Sequence, residues 1–395
     1  MTIKTKENFN NTTNYKWFVE SEKKFNFEIV ISNDVFNKNN FELVDIAKNN
    51  ASSELPRRLV FVDKNFYNYY HSKINKYFST KANAKIIVID ISEETKNLEN
   101  LNLILQYMDN FGVTRRSEPV IVMGGGVLTD AVGFACSIYR RGVPHIKLAT
   151  TLLCAIDACV GVKTSVNHFG RRNRIGTYYP PIKSIIDLNL LKTLPIEELS
   201  SSLGEIIKIA VIKNKYLFEL IYKNRNKITN ANLYKTKDGI KIIKESITSM
   251  LEELHENLEE THLKRCVDFG HTFSPVIEMR SLDQNNIVAL KHGEAVCLDV
   301  ILSSCIAYNR GLLDINELKR IFLISKKSKI PIKHEYIFNI DYLLESLNDA
   351  IKHRDGNQNL PLPKNLGNYV FINDLKIDEI RKSIKTYEKM LMTHD

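Results

Sequence analysis

Hydrophobic and polar positions divide the chain into two halves of different character. In the first half, short apolar runs alternate with helical stretches. RLVFV (58–62), KIIVIDI (85–91) and PVIVM (119–123) are each one strand long. Unbroken apolar runs of this size fit strands covered on both faces. Residues 98–111 carry helical spacing, and a second helical stretch runs from the glycines at 124–126 to about Tyr139. Strands alternating with helices predict a parallel sheet. Two period-two segments, KWFVE (16–20) and FNFEIVI (25–31), predict a β-hairpin. Residues 1–14 are polar and predict little order. Ser92 is read as the cap of the next helix, with Glu93 and Glu94 in its first turn.

From about residue 188 the period changes. Residues 199–222, 234–258, 289–309, 315–325 and 341–353 all read as helices, and NYVFI (368–372) as a lone strand. The expectation is an α/β N-terminal domain with a Rossmann-like parallel sheet over 15–195. A mainly α-helical C-terminal domain follows over 196–395, with the boundary near Pro195.

Composition narrows the class without naming a function. The 395 residues are 44% hydrophobic and 26% charged, the balance of a globular protein. The net charge is +9, but the lysines are scattered. No basic stripe is interleaved with aromatics, which argues against nucleic acid as a partner. No run approaches about 18 uninterrupted apolar residues, so no membrane span is expected. Six cysteines, none in a CxxC pair, argue for a reducing compartment and against a zinc ribbon. The polar start, MTIKTKENFNNTTNYK, does not read as a signal peptide, and a cytoplasmic location is expected.

The stretch 119–181 concentrates the candidate chemistry. Three glycines, Gly124 to Gly126, stand between a strand and a helix. Bare backbone N–H groups at a helix N-terminus suit a pyrophosphate, and glycine permits the close approach. An ordinary tight turn would use the same residues. Arg140, Arg141, Lys163, Arg171, Arg172 and Arg174 follow within fifty residues. Lys163, Lys208, Arg141, Arg172 and Arg265 are candidates to clamp a phosphate or carboxylate, or else are solvated surface cations. Asp157 and Asp268 are candidates to orient hydroxyls, or else are turn residues. Glu205, His271 and His292 offer one carboxylate and two imidazoles, a set that leaves open positions on a catalytic cation. Their separation in sequence also allows three unrelated, satisfied side chains. HExxH and GxSxG are absent. HRDG (353–356), just before PLP (361–363), reads as a loop that reaches into a site.

In this order the motifs resemble the sugar phosphate cyclase superfamily, whose best-known member is 3-dehydroquinate synthase. They are VDKN (62–65), SEETK (92–96), GGG (124–126) with Asp130, YRRG (139–142), TTL (150–152), Asp157, Lys163, RN (172–173), TLP (193–195), Glu205, FGH (269–271) and HGE (292–294). The resemblance covers about 58–374. It implies an NAD site, with Asp63, Glu93 and Lys96 on the adenosine side and Asn65 among the cofactor-binding residues. Gly125 and Gly126 would face the pyrophosphate, and Asp130, Thr150, Thr151, Thr193 and Leu194 would complete the pocket beside Lys163 and Arg172. It also implies Zn or Co on Glu205, His271 and His292. The implied substrate shell is Arg141, Asp157, Lys163, Asn173, Lys208 and Arg265, with Lys163 as the polar catalyst. A homodimer and a small sugar phosphate substrate are implied as well.

Two positions depart from the dehydroquinate synthase pattern, NFGHTxxH. This chain reads DFGHTFSP over 268–275, with Asp268 for the Asn and Pro275 for the last His. Proline transfers no proton, and an added carboxylate disfavours a carboxylated substrate. With VNHFGRRNR (166–174) and HRDG (353–356), this resembles the 2-epi-5-epi-valiolone synthase branch. Members of that branch use sedoheptulose 7-phosphate, which has no carboxylate. The 2-epi-valiolone and desmethyl-4-deoxygadusol branches share that substrate. 3-Dehydroquinate synthase itself and a glycerol dehydrogenase-type oxidoreductase are the other readings.

Overall fold

Five consecutive buried residues, VIVMG, make β6 (Val120–Gly124) the centre of the first half. The structure, a computed structural model, describes residues 2–7, 15–21, 24–44, 55–282 and 289–394. Around β6 lie β3 (Glu28–Ser32), β4 (Arg57–Asp63), β5 (Asn83–Ile89), β7 (His145–Ala149) and β10 (Lys183–Asp187). They form one six-stranded parallel sheet in the order β3-β10-β7-β6-β4-β5. Alternate residues of each strand face opposite layers. Val60, Val62, Ile121 and Met123 pack with Phe66, Tyr70, Ile74 and Phe78 of α1 (Lys64–Lys81). Leu59, Phe61, Val120 and Val122 pack on α2 (Leu98–Phe111) and α3 (Gly126–Ile138). The chain runs outward from β4 to β5, then returns past β4 to β6. That reversal opens a crevice at the carboxyl ends of β4 and β6, where open α/β sheets bind ligands.

A hairpin of β8 (Lys163–His168) and β9 (Arg171–Tyr178) lies over α3 and carries Lys163, Arg172 and Asn173. The second half packs α4 (Ile196–Ile212), α5 (Lys215–Asn224), α6 (Lys237–Leu254), α7 (Ser274–Leu282), α8 (His292–Asn309), α9 (Ile315–Lys327), α10 (Ile340–His353) and α11 (Ile377–His394) into a single core. A short ribbon, β11 (Leu360–Pro363) with β12 (Tyr369–Ile372), closes it. Among the described residues no helix is long and apolar enough to cross a membrane.

Several expectations need correction. The period-two segments do not pair with each other. β2 (Tyr15–Glu20) pairs with β1 (Thr2–Glu7), in a region expected to lack order, while β3 joins the sheet edge beside β10. Residues 8–14 of that region lie outside the described residues. Alternation identifies a strand but not its partner, and the sheet edge offers β3 a full ladder. Ser92 does not cap α2. Asn97 does, through Glu99 and Asn100 N–H groups, and Glu93, Glu94 and Lys96 sit in the preceding turn. The predicted helix over 199–222 is two helices, broken where Asn214 caps α5. Two long helices, α1 and α11, were not predicted.

Candidate active site

The crevice at the sheet opens into one cleft of about 2180 Å³ that reaches across to the helical half. A drug-sized ligand fills roughly 300–1,000 Å³, so the cleft has room for a dinucleotide and a second small molecule.

On the sheet side, Gly125 is the N-cap of α3 and no side chain caps that helix. Its first N–H groups are therefore open to an anion. A Cβ on Gly125 would come within 3.2 Å of the Thr151 methyl, so that side chain would have to give by a few tenths of an ångström. Asp63, Asn65, Gly126, Thr150, Thr151, Thr193 and Leu194 line the same wall. Asp63 also accepts the Phe66 N–H that starts α1, and burial raises its proton affinity.

Lys96 lines the wall but is spent inside it. It is 1% exposed and its Nζ lies 2.6 Å from Asn173 Oδ1 and 3.2 Å from Asp130. Asn173 is therefore tied to Lys96 and Ser165 and not turned wholly to a substrate. Arg172 binds Glu93 through Nε at 3.0 Å and pairs closely with Glu278. The reading of Arg172 as a free anion clamp is thus replaced. Two carboxylates already meet its charge. Burial opposes the charge on Glu93, but Arg172 and Lys96 outweigh it and lower its pKa.

The helical side is organised by a backbone contact. α4 and α8 cross at Gly204 and Gly293. A Cβ on Gly204 would overlap the Gly293 carbonyl oxygen and stand 2.7 Å from its carbon. The residues beside these glycines are Glu205 and His292. Their side chains meet His271, so that carboxylate and imidazole atoms of all three lie within 4.8 Å of one another. Glu205 Oε1 is 3.4 Å from Nε2 of both His271 and His292. Tetrahedral Zn²⁺ with bonds of about 2.0–2.1 Å separates its ligand atoms by about 3.3 Å. Oε1 is buried and accepts no hydrogen bond, while Oε2 meets Lys208 at 2.5 Å. Nδ1 of His271 lies 3.3 Å from the Phe269 carbonyl and Nδ1 of His292 lies 3.0 Å from Glu278. With Nδ1 engaged in both rings, each Nε2 is the atom turned toward Glu205 Oε1. The donor set fits a divalent cation. The His271 loop is fixed in turn by buried Asp299, which accepts the N–H groups of Thr272, Phe273 and Ser274.

Charge in this pocket is strongly partitioned. Burial resists ionisation of Glu205, yet Lys208, His271 and His292 hold its carboxyl well below the usual range. Burial and Lys208 keep His271 neutral. Burial also disfavours charge on His292, but Glu278 and Glu205 overcome it and push its pKa up to about 9. A cation must displace that proton. Apparent Zn²⁺ affinity is therefore expected to rise about tenfold per pH unit below about pH 9 and to level off above. A chelator-buffered Zn²⁺ titration at several pH values checks this, and a flat profile would exclude His292 from the ligands.

The far wall holds a chain of paired charges. Lys163 pairs closely with Glu260, and Glu260 with Arg265. Arg265 reaches Asp268 at 2.6 Å, and Asp268 is 3.5 Å from Arg354. Asp157 stands nearby on a π-helical turn, Cys154–Ala158; burial first and Glu205 second raise its proton affinity. Arg141 alone among the candidate residues stays away. It lies exposed in the turn Tyr139–Arg141, at φ 61°, outside the residues lining the cleft. Its place beside Arg140 and the glycine turn suggested proximity that the fold does not supply. Glu260, Glu278 and Arg354 were missed, although HRDG (353–356) had been singled out as a loop that reaches the site.

Comparison with known proteins agrees in both halves. The family model for the 3-dehydroquinate synthase N-terminal domain matches residues 86–201, and that for the C-terminal domain matches 202–353. A 2-epi-5-epi-valiolone synthase from Streptomyces albus is 38% identical, covering 95% of this chain and 91% of its own. One from Actinoplanes sp. is 40% identical over 92% of this chain and 91% of its own. Among solved structures, a 2-epi-5-epi-valiolone synthase from Streptomyces hygroscopicus subsp. jinggangensis, with NAD⁺ and Zn²⁺ bound, superposes with a TM-score of 0.86 at 36% identity, covering 94% of this chain and 99% of its own.

Proposed function

From the premise that this chain belongs to the 3-dehydroquinate synthase family, we propose that it is a 2-epi-5-epi-valiolone synthase, a cyclase dependent on NAD and a divalent metal. Its substrate is sedoheptulose 7-phosphate, and phosphate is released. One observation carries the choice of substrate. Arg265 and Arg354, the two guanidinium groups of the far wall, are already paired with Glu260 and Asp268. Neither is left to pair with a substrate carboxylate, and Pro275, which lines the same cleft, donates nothing. That supports a neutral polyol over a carboxylated sugar.

NAD, when bound, supplies a reversible oxidation of one ring hydroxyl, and Zn²⁺ or Co²⁺ supplies a Lewis acid. The substrate then loses phosphate by β-elimination, is reduced again, opens and closes to a carbocycle by an aldol step, with no net redox change. Glu205, His271 and His292 hold the cation. The open N-terminus of α3 receives the cofactor pyrophosphate. Lys163, held by Glu260 at the mouth of the cleft, orients or protonates substrate oxygen. Asp157 stands close to the cation site, where burial and Glu205 raise its proton affinity. Cytoplasmic placement is supported by six buried, unpaired cysteines. Assembly as a homodimer rests on the family resemblance alone.

The test supplies purified protein with catalytic NAD⁺ and Zn²⁺ or Co²⁺. Sedoheptulose 7-phosphate and the carboxylated precursor of dehydroquinate are offered separately. Phosphate release from the first, without accumulation of NADH, is expected, and NMR of the product identifies the branch. Stoichiometric NADH would instead mark a dehydrogenase. A double variant, Asp268→Asn with Pro275→His, frees positive charge and adds a donor. It is expected to lower kcat/KM for sedoheptulose 7-phosphate by about 10- to 100-fold. Indifferent kinetics would remove the basis for this substrate.

A further inference from the structure

The imidazole of His292 has two polar neighbours at Nδ1. Glu278 Oε2 lies 3.0 Å away and Arg172 Nη1 3.2 Å away. They impose opposite states on the ring. A carboxylate only accepts, so Glu278 takes a hydrogen from Nδ1 and leaves Nε2 bare. A guanidinium only donates, so Arg172 would force the hydrogen onto Nε2, pointing it at Glu205 Oε1. In the first tautomer Nε2 can bind a cation. In the second it cannot.

We propose that Glu278 is the positioning residue for His292, selecting the tautomer that binds the metal, and that its pairing with Arg172 keeps the guanidinium from imposing the other. The inference rests on the reading of Glu205, His271 and His292 as a metal site. It does not depend on which reaction that site performs.

Burial and connectivity support it. Glu278 is 4% exposed, on α7, and its two oxygens are divided between Arg172 and His292. Arg172 is held from the other end by both oxygens of Glu93. Glu93 is fixed by Asn167, whose amide donates to it at 2.8 Å. The result is a chain of contacts, Glu93–Arg172–Glu278–His292, from the turn after β5 to the first residue of α8. It links the cofactor wall to the cation site without passing through a ligand. Removing the charge of Glu278 releases Arg172 toward Nδ1.

The experiment measures Zn²⁺ affinity by competition with a chromophoric chelator, in the absence of substrate and NAD, on the full chain. Glu278→Gln keeps the shape and loses the charge. It should bind Zn²⁺ about 10- to 100-fold more weakly than the natural protein, the range for losing a carboxylate behind a metal-bound histidine. Its Co²⁺ derivative should show an altered visible spectrum. The decisive arm is the double variant Glu278→Gln with Arg172→Met. With the competing donor gone, it should bind Zn²⁺ more tightly than Glu278→Gln alone. A residue that merely fills space would show no such recovery. Unchanged affinity in Glu278→Gln, or a double variant no tighter than the single, overturns the inference. If the natural protein takes up no Zn²⁺, the inference falls together with the metal site. Normal Zn²⁺ behaviour without phosphate release overturns only the cyclase reading.

Discussion

Replacing His292 with alanine is expected to abolish turnover while the helical core survives. His292 is the first residue of α8, in the cleft wall and not in the apolar core. Its loss leaves Glu205 and His271 as a two-ligand site beside buried Lys208, which no longer retains a catalytic cation. Lewis-acid stabilisation is worth several kcal/mol. A loss of about 4 kcal/mol lowers the rate on the order of a thousandfold. Phosphate release and metal content, measured on the same preparation, should fall together. Thermal unfolding of chelator-stripped samples should match the natural protein. Full activity with full metal content would remove His292 from the ligand set.

Gly204→Ala is expected to damage both stability and metal binding, although alanine is the better helix former. Propensity alone favours the change by roughly 1 kcal/mol. The added Cβ, however, overlaps the Gly293 carbonyl oxygen. That neighbour is helix backbone, which cannot rotate aside like a side chain. α4 and α8 must separate, and overpacking of this kind costs about 1–3 kcal/mol or more. A net destabilisation of about 2 kcal/mol is expected in chemical unfolding of the metal-free protein. Because Glu205 and His292 flank the crossing, Zn²⁺ affinity should fall as well. Stability and affinity equal to the natural protein would show that the crossing does not set the ligand spacing.

Much of the architecture was legible because burial on both faces leaves a plain mark. RLVFV (58–62) and PVIVM (119–123) could be little other than inner strands, and both are. The neighbours of a strand leave no such mark, so β3 was paired with the wrong partner. α1 escaped because its core face, Phe66, Tyr70, Ile74, Tyr77 and Phe78, is set among Asn, Lys and Tyr. Helix breaks depend on caps, and Asn214 reads as an ordinary polar residue until its side chain is seen to accept the Leu217 N–H. At the site, the grouping of Glu205, His271 and His292 was legible through family resemblance and not through spacing. The charge of each cation was legible, but not what neutralises it. Arg172, Lys208 and Arg265 all looked free, yet Arg172 is held by Glu93 and Glu278, Lys208 by Glu205, and Arg265 by Glu260 and Asp268, of which Glu260 and Glu278 carry no local motif. Asp268 was read as a repelling charge. Its position between Arg265 and Arg354 makes it a neutralising one, which leads to the same substrate preference by a different route.

The contact between Gly204 and Gly293 also bears on how the protein is made. It joins segments about ninety residues apart, so α4 is complete on the ribosome well before its partner exists. Until α8 emerges, Glu205 and His271 lack His292 and the nascent chain has no complete three-ligand site. A cation that binds only the finished fold stabilises it by mass action, by about 2.7 kcal/mol when free metal is a hundred times its Kd. Supply of the divalent cation is therefore expected to shift how much of this protein survives proteolysis after synthesis.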